Sequence, residues 1–238
     1  AADMIDESRL LNQFLDLARI SSPSGGEGPV ADAIAAVLTA LGMAVERDAA
    51  GNLLSRLDGV GEPLLLTAHM DTVGPCENVT PVVRDGVVYS DGTTILGADD
   101  KAGVAVILEV LRCLTEGEDA HRPVDVLFTV REEVGLEGAK AFDTSQLRAR
   151  MGIGLDHGGE QGTVVVSAPS QNALQATVHG KMAHAGANPE LGLNAIRVAA
   201  EAIAAMPLGR IDEETTANIG IIAGGTATNI VPDRVEIQ

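Results

Sequence analysis

Gly92-Thr93-Thr94-Ile95-Leu96-Gly97-Ala98-Asp99-Asp100-Lys101-Ala102-Gly103 carries a glycine-rich turn straight into an apolar run at residues 104–114. The run reads as a helix with two adjacent carboxylates at its head. Acids in that position serve as helix caps or dipole partners, so alone the pair says little. Its neighbours decide the reading. Residues 63–68 form a compact apolar run ending in His69, read as a strand buried on both faces. Residues 124–130 read as a β-branched strand leading into Arg131-Glu132-Glu133, and residues 151–155 as a short strand leading into Asp156. A helix crossing between such strands predicts an α/β fold, a mostly parallel sheet sandwiched by helices. His69, Glu132, Glu133 and Asp156 then fall just past strand C-termini, with Asp99 at the head of the crossing helix. In open α/β sheets that edge is where ligands bind.

Working outward, Leu10, Leu11, Phe14, Leu15 and Ala18 recur at helical spacing, which predicts a helix over residues 3–19. Ser21-Ser22-Pro23-Ser24-Gly25-Gly26 breaks it. Pro29 opens a second helix that runs to Leu41, with Gly42 as its stop. Short strands are expected at 44–47 and, after the turn Gly51-Asn52, at 53–57. Residues 79–89, broken by Asp85-Gly86, read as a hairpin over the site, and residues 135–142 as a turn and short helix. The pattern changes around Pro169-Ser170. Strands at 171–179, 217–223 and 229–237 and an Ala-rich helix at 192–206 predict a small antiparallel α+β unit. The expected division is a catalytic domain at 1–169 and part of a lid at 170–238. Gln238 falls inside the last strand pattern, so the chain reads as C-terminally truncated.

Composition narrows the partners. Hydrophobic residues make up 45% but aromatics only 2%, so the core must be Leu, Val, Ile and Ala, which suits helices on a parallel sheet. A formal charge of -18, from 34 acids against 16 Lys and Arg, argues against nucleic acid or an anionic membrane as partner. Cys76 and Cys113 form no CxxC pair and no disulfide framework, which sets a reducing cytoplasm as the default. The acidic start, Ala1-Ala2-Asp3-Met4-Ile5-Asp6-Glu7, is unlike a signal peptide. No uninterrupted apolar stretch reaches the roughly 18 residues of a membrane span. The sequon Asn78-Val79-Thr80 has no secretion signal to support it.

The polar residues at the sheet edge admit bland readings singly. His69 is a strand-end histidine beside Asp71, Glu132-Glu133 a solvated pair, and Asp156 a loop acid. Yet residues two apart on a strand share a side, and a ligating imidazole commonly gives its other N–H to a carboxylate, as His69-x-Asp71 allows. Adjacent acids after a buried strand repel unless cations compensate. Jointly the set points to divalent metal, with Asp99 as the central ligand of a two-metal hydrolytic site. Carboxylate-rich ligation with one imidazole suits Zn²⁺, Mn²⁺ or Co²⁺. Paired ions clamp the attacking and leaving oxygens of a hydrolysis. Gly152-Ile153-Gly154 begins like a dinucleotide fingerprint, but His157 takes the place of the last glycine. There is no GxxxxGK[ST], GxSxG or HExxH. His184, within Met182-Ala183-His184-Ala185-Gly186, reads alone as a polar turn histidine.

His69-Met70-Asp71-Thr72-Val73, the stretch from Gly92 to Gly103, Thr129-Val130-Arg131-Glu132-Glu133-Val134-Gly135-Leu136 and Ala183-His184-Ala185-Gly186 together resemble peptidase T. That family is the tripeptide aminopeptidase branch of the two-zinc exopeptidases, which include carboxypeptidase G, aminoacylase and succinyl-diaminopimelate desuccinylase. The similarity runs from the first helix to Gln238, and Ala217-Asn218-Ile219-Gly220 narrows it toward peptidase T-like members. The resemblance implies that Asp99 bridges two metals, that His69 and Asp156 serve one ion and that Glu133 serves the other. It implies Asp71 as orienter of His69, Glu132 as general base and a cis Asp99–Asp100 peptide. His184 would reach across a homodimer formed by the lid toward the reacting carbonyl, and Asn229 would contact substrate. The family's second ion takes a further histidine from a later segment, and His121, His157 and His179 do not match that motif. The expected activity is hydrolysis of short peptides from the amino end by a metal-bridging water. The alternatives are an N-acyl-amino-acid deacylase or carboxypeptidase, or a non-catalytic fragment with an incomplete metal site.

Overall fold

The structure is a computed structural model that describes residues 5–160, 162–168 and 170–238. Its chain divides into two units, residues 1–160 and 161–238. The first unit contains helices α1 (Glu7–Ala18), α2 (Gly28–Ala40), α3 (Ala98–Glu116) and α4 (Glu137–Ala141). Its strands are β1 (Val45–Arg47), β2 (Leu53–Leu57), β3 (Leu64–His69), β4 (Pro81–Arg84), β5 (Val87–Ser90), β6 (Val124–Thr129) and β7 (Gly152–Gly154). Residues 3 and 4 of the expected first helix lie outside the described residues. The helix itself starts later than its apolar spacing suggests, because the Asp6 side chain accepts the Arg9 N–H at 2.9 Å and caps it.

The main sheet has the order β1-β2-β6-β3-β7. β6 lies parallel to β3 with His69 opposite Thr129, and β3 lies parallel to β7 with Leu65 opposite Gly152. The α/β fold is therefore present, and its parallel strands are those that deliver the candidate site. The sheet as a whole is mixed: β1 and β2 are joined by a short turn, and β2 runs antiparallel to β6. A tight turn can only join antiparallel neighbours, whereas β3 reaches its parallel partner through a long crossover that includes α3. Every residue of β6 is buried. Val126 and Phe128 pack with Ile107, Leu108 and Leu111 of α3 and with Ile34 and Leu38 of α2. Full burial of each such side chain is worth roughly 1.5–3 kcal/mol. As the composition requires, Phe128 is the one aromatic among the buried members of this core.

α3 does not begin as an ideal helix. Gly97 takes φ +68°, Asp99 and Asp100 have non-helical backbone angles, and the Asp99–Asp100 peptide is cis. The hairpin of β4 and β5 turns at Asp85 (φ +52°) and Gly86 (φ +77°), a pair of left-handed residues suited to a two-residue loop.

The second unit holds β8 (Ala176–His179), β9 (Ala183–His184), α5 (Ala195–Ala204), β10 (Gly209–Arg210), β11 (Thr216–Ala217), β12 (Ile222–Gly224), β13 (Ile230–Val231) and β14 (Arg234–Ile237). β12, β14 and β8 form an antiparallel sheet, and Ala195 and Ala199 of α5 pack with Val235 and Ile237. Three strand expectations need correction. The run at 217–223 splits into β11 and β12, because the N–H groups of Gly220 and Ile221 both turn to the Gln238 carbonyl. The run at 229–237 splits at Pro232, which has no N–H for a ladder and whose carbonyl instead accepts the Ala195 N–H. Of the run at 171–179 only Ala176–His179 is strand, the length that matches its partner β14.

Candidate metal centre

His69 closes β3 with its ring buried. Nδ1 lies 2.9 Å from the Asp71 carbonyl oxygen and 3.4 Å from Asp71 Oδ1, so it carries the proton and Asp71 holds it. That leaves the Nε2 lone pair facing Asp99 Oδ1 at 3.1 Å and Asp156 Oδ2 at 3.9 Å. Burial pulls the imidazole pKa down, but the Asp71 bond and the charges of Asp100 and Asp156 outweigh it and hold the ring up at about 9. Such a ring seeks a positive charge on Nε2, either a proton or a metal ion.

Asp71 has no exposed surface, and its carboxylate is saturated with donors. Ser24 Oγ donates to Oδ2 at 2.6 Å, Glu132 N–H to Oδ1 at 2.9 Å and Glu133 N–H to Oδ2 at 3.2 Å. Burial alone would raise this carboxyl; the bonds from His69, Ser24 and the two backbone N–H groups hold it well below the usual range.

The chain after β6 is bent by a second support. Asn52 Oδ1 accepts the Val130 N–H at 3.1 Å while Asn52 Nδ2 donates to the Gly138 carbonyl at 2.9 Å and to Asp48 Oδ2 at 2.7 Å. Arg131 follows in a left-handed conformation, φ +53°, and its N–H goes to Glu27 Oε1 at 3.0 Å. This turn sends Glu132 and Glu133 back toward β3.

One donor atom each from His69, Asp99 and Glu133 lies within 4.8 Å of the others, a geometry that can hold a metal ion. Asp156 joins through His69, while Asp99 at 72% and Asp156 at 46% side-chain exposure leave the mouth open to solvent. The acids crowd one another. Burial raises Glu132, Glu133 and Asp156, their neighbours' negative charges add to it, and His69 offsets only part. Asp100 is buried, is pushed up to about 8 chiefly by burial and leaves Oδ2 without a hydrogen bond. Lys101 does not relieve them: its buried ammonium donates to the Ile20 carbonyl at 2.6 Å, and burial lowers it to about 8. A cluster of acids short of positive charge around an imidazole Nε2 that seeks a cation matches the donor set of a divalent metal ion.

His184 and Asn229 stand in the second unit. They neighbour each other, since β9 pairs with β13 and the Ala185 N–H donates to the Asn229 carbonyl at 2.9 Å. His184 Nδ1 accepts the N–H groups of Gly186 and Ala187 at 3.1 and 3.0 Å. The proton therefore sits on Nε2, which makes this exposed ring a hydrogen-bond donor. Sequence reasoning missed Ser24, Glu27 and Asn52. Ser24 and Asn52 were read only as parts of a helix breaker and a strand turn, and Glu27 carried no signal.

Residues 52–201 match the family described as Peptidase family M28, and residues 171–238 match the Peptidase dimerisation domain. A Bacillus subtilis relative, the uncharacterized protein YqjE, is 47% identical and covers 98% of this chain with 66% of its own length. Among solved structures, the aminopeptidase PepT of Bacillus cereus superposes with a TM-score of 0.86 at 44% identity, over 98% of this chain and 66% of that one. A tripeptidase of Staphylococcus aureus gives 0.86 at 45% identity, over 98% and 65%. The chain thus spans just under two thirds of the length of these relatives.

Proposed function

The chain belongs to peptidase family M28, within the zinc exopeptidases, and on that premise we propose that the protein removes residues from the amino end of short peptides, tripeptides above all. The observation that carries this reading is the convergence of His69, Asp99 and Glu133 donor atoms within 4.8 Å. Asp99 would be the ligand shared by two ions, His69 and Asp156 would serve one of them, and Glu133 would serve the other. Zinc is the proposed metal, with manganese or cobalt as substitutes the same donors accept. When bound, the ions polarise the scissile carbonyl and acidify the attacking water.

The chain's own groups then have definite tasks. Asp71 keeps the proton on His69 Nδ1, so that Nε2 stays a ligand. Glu132, whose carboxyl is raised by burial, is the proposed general base, which would accept a proton from the attacking water and hand it to the leaving amine. His184, with its proton on Nε2, supplies a hydrogen bond to a substrate oxygen, and Asn229 beside it contacts substrate. Residues 170–238 act as a lid and dimerising surface. The setting is proposed to be cytoplasmic; among the described residues no helix is long and apolar enough to cross a membrane.

The test pairs metal content with hydrolysis on one preparation supplied with Zn²⁺. Cleavage of tripeptides with two equivalents of zinc supports the reading. Cleavage of N-acyl-amino acids or of residues from the carboxyl end, with tripeptide amino ends untouched, would replace it by a deacylase or carboxypeptidase. Bound zinc with no hydrolysis would make this chain a non-catalytic piece of the fold.

A further inference from the structure

The segment joining α1 to α2 has no task in that chemistry, yet it is bonded to three of the four segments that supply the metal centre. Ile20 C=O accepts Lys101 Nζ at 2.6 Å, and Ser22 C=O accepts the Thr72 N–H at 2.9 Å. Ser24 Oγ donates to Asp71 Oδ2 at 2.6 Å, and Glu27 Oε1 accepts the Arg131 N–H at 3.0 Å. Lys101 stands two residues after Asp99, Thr72 follows Asp71, and Arg131 precedes Glu132. The loop therefore touches the three segments that bring in Asp99, His69 and Glu133. Glu27, itself buried, stiffens the loop by accepting the Gly25 N–H at 2.9 Å with the same oxygen.

Asp71 is where this matters most. Its other donors, the His69 ring and the N–H groups of Glu132 and Glu133, belong to the segments that Asp71 has to hold. Ser24 brings a donor from outside those segments. It also makes the shortest bond on the carboxylate, on the oxygen that the Glu133 N–H reaches only at 3.2 Å. Without that hydroxyl the carboxylate could rotate, and both the imidazole and the Glu132–Glu133 turn would lose a fixed partner.

We infer that Ser24 is a positioning residue for the metal centre: its hydroxyl locks Asp71 so that His69 Nε2 and Glu133 are held ready for metal. The inference rests on the metal-binding part of the reading above, not on the substrate assigned there. Groups that orient a ligand from behind typically change metal affinity by about 10–100-fold.

The experiment is a Co²⁺ titration of the metal-free protein, followed by the visible absorbance of the bound ion, for wild type, Ser24→Ala and Ser24→Thr. The thermal midpoint of each metal-free protein is measured alongside. The expected result is a loss of about 10–100-fold in Co²⁺ affinity for Ser24→Ala, with an altered band shape. Ser24→Thr, which keeps the hydroxyl, should restore both, while the metal-free midpoints of the two variants stay alike. Wild-type affinity and spectrum in Ser24→Ala would overturn the inference while leaving the metal reading intact. Equal losses in both variants, or a Ser24→Ala chain that does not fold, would make the loop a structural element and overturn it as well. A wild-type protein that takes up no Co²⁺ would remove the metal reading itself, and Ser24 with it.

Discussion

Replacing Asp71 by asparagine changes almost no volume, so its effect measures what the two carboxylate oxygens do. Each oxygen takes one backbone N–H, Glu132 on Oδ1 at 2.9 Å and Glu133 on Oδ2 at 3.2 Å. A carboxamide offers one oxygen. With its NH₂ at the Oδ1 position it would face both the Glu132 N–H and the protonated His69 Nδ1. At the Oδ2 position it would face the Glu133 N–H and Ser24, whose hydroxyl can turn to accept. The second orientation is preferred, and it strands one backbone donor in a place with no exposed carboxylate surface. An unsatisfied buried donor costs about 1–3 kcal/mol, and the remaining bonds weaken once their acceptor is neutral. Relief from burying a charge offsets part of this. The net expectation for Asp71→Asn is about 2–4 kcal/mol, or a midpoint roughly 4–16 °C lower for a chain of this size. The assay is thermal unfolding of the metal-free protein at pH 7, followed by circular dichroism. The pH dependence has a fixed sign. Asp71 has a depressed folded pKa, so its stabilisation is full above the ordinary carboxylate value of about 4 and is lost as pH falls. The gap between wild type and variant should therefore narrow on acidification. A variant that melts within about 2 °C of wild type at pH 7 would refute the account of Asp71 as a saturated acceptor.

Glu132→Gln should lower turnover by at least about 10²–10⁴-fold while leaving metal content nearly intact; loss of metal instead would mean the roles of Glu132 and Glu133 are exchanged. Asp125, within β6, is fully buried and accepts Arg148 Nε at 2.8 Å, Arg148 N–H at 2.6 Å and Ala149 N–H at 2.9 Å. Asp125→Ala should cost about 2–3 kcal/mol in urea unfolding at pH 7, a figure reduced because the Arg148 side chain is 34% exposed. These partners hold the Asp125 carboxyl below its usual value against the opposing effect of burial, so the difference from wild type should shrink as pH drops below about 4. At Gly138 an added Cβ would collide with the Val130 carbonyl oxygen and lie 2.6 Å from Asn52 Oδ1. Gly138→Ala should therefore destabilise by about 1–3 kcal/mol, detectable by chemical denaturation, and a neutral substitution would show that the Asn52 clasp yields easily.

The parts of the centre legible in the sequence were those set by short-range pattern. A continuous apolar run ending in His69 and a β-branched run ending in Glu132-Glu133 each announced a strand with a polar tip. Their register, His69 opposite Thr129, is what sheet pairing adds. The supports were illegible for the opposite reason. Ser24 reaches Asp71 across 47 residues, Asn52 reaches Val130 across 78, and Glu27 reaches Arg131 across 104. No local spacing encodes those bonds; Ser24 and Asn52 look like turn chemistry until the chain is folded, and Glu27 like an ordinary surface acid. The second unit shows a different limit. Val231 and Val235 share a strand-like composition, but Pro232 between them cannot donate to a ladder, and the sequence held that warning in plain sight. The overlong strand at 171–179 failed because composition does not tell how long the partner will be.

β6 also has a bearing on how the molecule is made. It is the central strand, and both its neighbours, β2 and β3, precede it by more than 50 residues. A nascent chain that has reached residue 120 holds both neighbours and α3, but nothing yet joins β2 to β3. Apolar edges that later sit against β6 stay unpaired until residues 124–129 emerge. Pairings of such sequence separation close slowly. Polypeptides that stop short of β6 should therefore aggregate or be degraded, while those that include β6 and β7 can zip the sheet shut.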